Sequence, residues 1–413
     1  MIAEILSTGD EIRSGSLIDT NSAWLAQKLE QAGVEVTRHQ CAGDDKDILS
    51  LVLKEIGERA DIALVTGGLG PTTDDITTDA AAEAGGVELC LDQKALDSIE
   101  KYFASRDRKM PPSNKKQALI PCGAETIYNP VGTAPGFAMK IGKCLFYFMP
   151  GVPSEMKKMY LEQILPHLEK YMGSDRVFNM VKTISTFGLP ESAAGEMLAD
   201  LPLKFPGIKL GLRAKFPEIQ IKLYAKSRDK KALLENLENT CQWVEQKMGN
   251  KIFSLSEQTM ETVVGNLLKN RNSTIALAES CTGGLIASSL TDVSGSSDYF
   301  LFSGVTYSNE AKIKVLGVKE DTIKKYGAVS EETVREMALG AKKAAGADYG
   351  LATSGIAGPD GGTDEKPVGT VCIGLATPEK VEAYRFVLRF ASREMNKRMF
   401  AMKALDLLRL ELM

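Results

Sequence analysis

Ser280 and Cys281 stand side by side in ALAESCTGGLIASSL, where an apolar run breaks at Thr282, Gly283 and Gly284 and a second apolar run begins. The pattern predicts a buried strand turning into a helix, the corner at which α/β folds place their chemistry. A helix start carries unpaired N–H groups and the positive end of the dipole, so it can hold a phosphate or an oxyanion. The two glycines let a substrate approach the backbone. Ser280 is thus a candidate nucleophile, and it serves equally well as a helix cap. A serine hydroxyl needs a base. The chain has two histidines, His39 and His167, and none after them, so no Ser–His or Cys–His pair can form within the C-terminal part. The remaining base is a lysine whose pKa is lowered by burial or by a nearby cation. SGVTYSNEAKIKVLGV supplies Tyr307, Asn309 and Lys312 together. Most helical lysines extend into solvent; Lys312, beside the Tyr–Ser–Asn turn, is the candidate exception and Lys314 the less favoured neighbour.

A second glycine-rich loop, TSGIAGPDGGTDEKPVGT, offers Ser354, Gly355, Gly358, Gly361 and Gly362 as a pocket floor and Lys366 for an anion. Pro359, Asp360 and Gly361 are explained equally well by a structural turn. Arg393, in RFASREMNKR, falls at an expected helix start and is either a phosphate clamp or a surface residue. Near the other end, VTGGLGPTTDDITTDA repeats the logic of strand, glycine loop and helix. Gly67, Gly68 and Gly70 present backbone donors to phosphate. Asp74, Asp75 and Asp79 either hold a hard divalent cation or cap the helix. STGDEIRSG (Asp10, Glu11), NPVGTAPG (Gly132, Thr133) and MPGVP are placed to close the same pocket.

The elements that must position these residues follow from the patterning. With 413 residues the chain is long for one core. Residues 1–172 alternate strands with amphipathic helices, which predicts a parallel sheet covered on both faces. Residues 173–254 read as a small α+β module whose order resembles a KH unit. It lacks a basic GxxG loop, so a spacer or dimerisation role is expected over RNA binding. Residues 255–413 are again α/β. The predicted class is α/β, with two three-layer α/β/α domains joined by the KH-like module. A net charge of −4 argues against a broad nucleic-acid surface. No apolar run reaches membrane-span length, and the opening MIAEILSTGDE reads as a strand, not a signal peptide. The seven cysteines are scattered and never spaced CxxC, which predicts neither a disulfide framework nor structural zinc and suits a reducing cytoplasm. The same spacing excludes a zinc deaminase.

In order, AESCTGG, GVTYSNEAK, GAVSEETV, SGIAGPDGG, KPVGTV and ASRE resemble the nicotinamide mononucleotide amidase domain of the CinA (competence/damage-inducible) family. That resemblance implies hydrolysis of the carboxamide of nicotinamide mononucleotide to nicotinate mononucleotide and ammonia without a cofactor. It implies Ser280 as nucleophile, Lys312 as its base, Tyr307 orienting them, and Ser354 and Arg393 lining the pocket. The oxyanion falls to N–H groups near Thr282 and Gly283. The family's arginine usually follows a Gly-Asp pair, whereas FAS precedes Arg393 here. TGDEI, TGGLGPTTDD, GTAPG and MPGVPSEM resemble the MoaB/MogA-like N-terminal domain of the same family. They imply divalent-metal-dependent cleavage of ADP-ribose, with magnesium or a similar ion, to AMP and ribose 5-phosphate. The readings set against this are a molybdopterin-binding module without hydrolysis and a competence-associated interaction protein. The partners implied are small nucleotides; a homodimer is expected, and neither a membrane nor a nucleic acid is.

Overall fold

The computed structural model describes residues 1–173 and 177–413; residues 174–176, at the start of the expected middle module, lie outside the described residues. Contacts divide the chain into two compact units, Met1–Met180 with Ala225–Leu234, and Val181–Tyr224 with Glu235–Met413.

The first unit contains β1 (Ile2–Thr8), β2 (Glu35–Ala42), β3 (Ile62–Thr66), β4 (Leu89–Leu91), β5 (Leu119–Pro121), β6 (Glu125–Ile127), β7 (Gly136–Ile141) and β8 (Cys144–Met149). Six of them form one sheet in the order β2-β1-β3-β8-β7-β6. In β3 every residue is buried, and alternate side chains serve opposite faces. Ile62 and Leu64 pack with Leu25 and Leu29 of helix Thr20–Ala32, while Ala63 and Val65 pack with Leu49 and Leu53 of helix Lys46–Arg59. A strand covered on both sides explains its unbroken apolar run. The helices start where aspartates cap them: Asp19 accepts from the Ser22 N–H at 2.8 Å and Asp45 from the Ile48 N–H at 3.0 Å.

Two expectations need correction. The sheet is parallel only from β2 to β8; β7 and β6 run antiparallel at its edge. Ile141 pairs with Cys144 across the two-residue loop Gly142–Lys143, with Gly142 at φ +60°. So short a loop makes a hairpin and cannot carry a crossover. The antiparallel pair β4–β5 also brings Cys90 and Cys122 together as a disulfide, although 32 positions separate them in sequence. The spacing gave no sign of that contact, because sheet pairing creates it.

The middle sheet has the order β10-β11-β9-β12, with β9 (Phe178–Thr186), β10 (Ile208–Lys215), β11 (Glu218–Ser227) and β12 (Ile252–Ser254), accompanied by helix Lys230–Met248. The last sheet comprises β13 (Ile275–Glu279), β14 (Phe300–Val305), β15 (Tyr349–Gly355), β16 (Thr370–Ala376) and β17 (Val381–Val387), in the order β14-β13-β15-β16-β17. The first three run parallel, the last two antiparallel. Ile275 and Leu277 pack with Val264 and Leu268 of helix Met260–Asn270 and with Phe400 and Leu405 of helix Arg393–Glu411. Ala276 and Ala278 pack with Val334 and Ala338 of helix Glu331–Ala345.

Both α/β sheets reverse their strand order beside the first strand, at β1 between β2 and β3, and at β13 between β14 and β15. The crevice outside the carboxyl ends at such a reversal is where an open α/β sheet binds ligands. No helix among the described residues is long and apolar enough to cross a membrane.

Candidate active site

Ser280 follows β13 directly, 8 % exposed, with its N–H donating to the Thr353 carbonyl of β15 at 3.0 Å. The turn after it is built on Glu279. This fully buried carboxylate accepts from the N–H groups of Gly284 (3.0 Å), Ile286 (3.2 Å) and Ala287 (2.9 Å). Gly283 and Gly284 take φ of +63° and +89°, which a β-carbon disfavours, and so coil the loop tightly at the helix start. Thr282 holds the loop from below through a 2.7 Å hydroxyl contact with Thr353. The positive end of helix Leu285–Thr291 was expected to receive a substrate anion, but the carboxylate of Glu279 already neutralises it. Of the two N–H groups expected to receive an oxyanion, that of Gly283 is spent on the Ser280 carbonyl at 3.1 Å.

Lys312 lies one turn into helix Asn309–Leu316, whose cap Ser308 accepts from the Ala311 N–H at 3.1 Å. The side chain is 1 % exposed. Its Nζ stands 3.2 Å from Ser280 Oγ, 2.9 Å from the Thr306 carbonyl and 3.1 Å from the Tyr307 carbonyl. All three partners are neutral oxygens. Burial therefore disfavours the ammonium and holds the pKa below the ordinary lysine value of 10.5, a shift that neighbouring Cys281 partly opposes. Lys314 is exposed; two residues apart on a helix of 3.6 per turn, the lysines face different ways. Cys281 is buried, and burial pushes its thiol up to about 12. A thiol so placed is not a thiolate near neutral pH. Gly355 backs it, since a β-carbon there would stand 3.2 Å from the sulfur and 2.6 Å from the Thr370 carbonyl.

The other expected residues are distributed unevenly. Tyr307, 62 % exposed, reaches Lys312 through its carbonyl, while its hydroxyl accepts from Arg393 Nη2 at 3.1 Å. Arg393 also donates to the Gly358 carbonyl at 2.7 Å. Ser354 is buried and its hydroxyl donates to the Ala328 carbonyl at 2.8 Å, so it holds a loop. Lys366 donates to the Tyr326 carbonyl at 2.8 Å. Sequence reasoning missed Glu279, Asn396 and Lys397. Asn396 is buried and pins the last helix by donating to the Ala357 carbonyl (2.9 Å) and accepting from the Phe390 N–H (2.8 Å). Lys397 lies one turn after Arg393, its amine 3.3 Å from where a β-carbon of Gly283 would stand. Four-residue spacing puts both cations on one helix face, a signal that was available.

The N-terminal crevice is a cleft of about 580 Å³ at the ends of β1, β3 and β8, lined by Gly67, Gly68, Gly70, Thr133, Asp74 and Asp75 among the expected residues. Glu11, Asp19, Asp44 and Glu155 bring the carboxylates in its wall to six, with no lysine or arginine among the described residues lining it. Asp44 is held above the ordinary carboxylate pKa, first by burial and then by Asp10, Glu11 and Asp74. Asp10 itself pairs with Arg13 at 3.0 Å. Asp75 is turned onto its own loop, accepting from the Thr72 N–H at 2.9 Å and from the Thr72 hydroxyl. Lys116 clamps the same turn through the carbonyls of Thr72 (2.9 Å) and Asp75 (2.7 Å). Asp74 is exposed. Among the described residues no group of three or more His, Cys, Asp or Glu is arranged to hold a metal ion. As they stand, Asp74 and Asp75 do not fit a preformed cation site. Gly132 lies against Glu155 and donates to Asn129 Oδ1 at 2.9 Å.

Three family models match in sequence order: a probable molybdopterin binding domain over residues 4–170, a damage-inducible protein CinA KH domain over 181–254, and a CinA C-terminal domain over 257–412. A CinA-like protein of Desulfosudis oleivorans is 53 % identical over 413 residues, covering 100 % of both chains. Another, from Desulforapulum autotrophicum, is 50 % identical and covers 99 % of this chain and 98 % of that protein. The crystal structure of competence/damage inducible protein CihA from Agrobacterium tumefaciens is 36 % identical, covering 37 % of this chain and 93 % of that one with a TM-score of 0.36. With identity sustained along its whole length, the chain belongs to the CinA-like protein family, with a molybdopterin-binding-like N-terminal domain.

Proposed function

We propose that the C-terminal site hydrolyses the carboxamide of nicotinamide mononucleotide to nicotinate mononucleotide and ammonia. The observation that carries this reading is the buried amine of Lys312, 3.2 Å from Ser280 Oγ with only neutral oxygens around it. A neutral amine has two N–H donors and one lone pair. The carbonyls of Thr306 and Tyr307 take the donors, which leaves the lone pair for the serine proton. Ser280 Oγ attacks the amide carbon as Lys312 takes that proton, and the Thr282 N–H receives the developing oxyanion. The protonated Lys312 then returns the proton to the departing nitrogen, and ammonia leaves. Water resolves the ester along the same proton path. Because Glu279 occupies the helix start, the substrate phosphate falls to Arg393 and Lys397 instead. The test is incubation of purified protein with nicotinamide mononucleotide, with products read by chromatography. Nicotinate mononucleotide and ammonia in equal amounts are expected; no turnover discards the reading.

For the N-terminal cleft we infer cleavage of ADP-ribose to AMP and ribose 5-phosphate. Its support is a nucleotide-sized crevice at a strand reversal, floored by the glycine loop. Six wall carboxylates repel a bare pyrophosphate, so a phosphorylated ligand must enter with its counter-ion. Incubation with ADP-ribose, with and without magnesium, is expected to give AMP. Failure in both favours binding of a pterin without turnover.

A further inference from the structure

The last helix, Arg393–Glu411, is gripped near both ends by middle-module residues of its own compact unit. Near its end, Arg409 is buried, pairs with Asp406 at 2.7 Å, and donates to the carbonyls of Asn250 (2.7 Å) and Ile252 (3.3 Å) where β12 begins. Near its start, Arg398 Nη2 donates to the Phe216 carbonyl at 3.2 Å, and its guanidinium lies 5.9 Å from the centroid of the Phe216 ring. Phe216 and Pro217 are the two residues that join β10 to β11. Turns of that length usually carry glycine, asparagine or aspartate. Here an aromatic ring sits in the turn and packs edge-on against Phe390, with centroids 5.0 Å apart and planes at 69°.

Phe390 leads directly into the helix. Its N–H donates to Asn396 Oδ1 at 2.8 Å, and Asn396 in turn donates to the Ala357 carbonyl. Within one turn of Asn396 stand Arg393, tied to the Gly358 carbonyl and the Tyr307 hydroxyl, and Lys397, whose amine approaches Gly283. Neighbours on a helix point about 100° apart, so Lys397 faces the Ser280 loop while Arg398 faces the turn. We propose that the Phe216 turn is a positioning element of the C-terminal site: it braces the helix start that presents Arg393 and Lys397, and so sets how tightly the phosphate end of the substrate is held. The inference rests on the amidase reading above, in which those two cations take the phosphate. A segment already restrained by the ring loses less freedom when the substrate binds. Lys312 and Ser280 hang from other elements, so the brace acts on KM and leaves kcat alone.

The experiment compares Phe216→Ala and Phe216→Tyr with the wild-type full chain in nicotinamide mononucleotide hydrolysis and in amide hydrogen exchange. Phe216 is half-buried in a turn, so both variants should fold, which circular dichroism checks. Phe216→Ala is expected to raise KM about five- to tenfold, the worth of one aromatic pair, with kcat within about twofold. Phe216→Tyr keeps the ring and should restore the wild-type KM. Exchange should quicken in Phe216→Ala over residues 388–399 and stay unchanged over residues 275–291. An unchanged KM, or unchanged exchange over 388–399, overturns the brace and leaves the amidase reading standing. A fall in kcat with faster exchange throughout the unit also overturns it, since that marks general loosening. No turnover by the wild type removes the amidase reading instead, and exchange alone then decides whether Phe216 braces the helix start.

Discussion

The crevices at Ser280 and at Gly67 arise in the same way and end in opposite chemistry. Each lies where strand order reverses, after a fully buried strand and a glycine loop. At the C-terminal site one amine is buried among neutral oxygens and one carboxylate, Glu279, is consumed internally by the helix start. At the N-terminal cleft six carboxylates share a wall that has no lysine or arginine among the described residues lining it. The first arrangement favours an uncharged amine able to take a proton. The second favours ligands that bring positive charge with them. Topology fixes where a site forms; loop residues fix what it does.

Removing the proposed nucleophile is the harshest way to break this contrast. Ser280→Ala is expected to reduce ammonia release from nicotinamide mononucleotide to background while leaving N-terminal ligand binding unchanged. Lys312→Met keeps the apolar stem and removes the base, with an expected fall in kcat of about 10³-fold in the same assay. Glu279→Gln sharpens the electrostatic side of the comparison. It removes the charge that holds three N–H groups, so denaturant unfolding of the C-terminal unit should show a loss of about 2 kcal/mol. Its rate should fall by about tenfold as the Ser280 loop loosens. Cys281→Ala should have the smallest effect, with kcat within about threefold of wild type, because the buried thiol stays protonated.

Much of the C-terminal site was legible because its parts lie close to sequence landmarks. Ser280 ends an apolar strand, and the absence of histidine after residue 167 points to lysine. Lys312 was singled out over Lys314 by the Tyr–Ser–Asn turn beside it, and the structure buries Lys312 and exposes Lys314. Glu279 was hidden because its role depends on a loop coiling back over five to eight residues. Lys397 was legible only as a helical neighbour of Arg393, four residues on; its approach to Gly283 depends on how the last helix packs. In the first unit the three-layer plan was readable from strands alternating with amphipathic helices and from the unbroken apolar run of β3, but the antiparallel edge turned on a single Gly-Lys loop. Asp75 reads in sequence as either a metal ligand or a helix cap, and in the structure it accepts from the Thr72 N–H within its own turn. Short polar side chains next to glycines always offer both readings, and only geometry separates them.

The pH dependence of kcat/KM for amide hydrolysis tests the central claim most directly, since it reports the protonation state of the free enzyme's base. With Lys312 proposed to act as the neutral amine, the rate should rise with pH as its proton is lost, on a limb centred below the ordinary lysine value of 10.5. That limb should vanish from the residual activity of Lys312→Met. A profile that falls across this range, or a rising limb that survives in Lys312→Met, contradicts a serine activated by an uncharged amine.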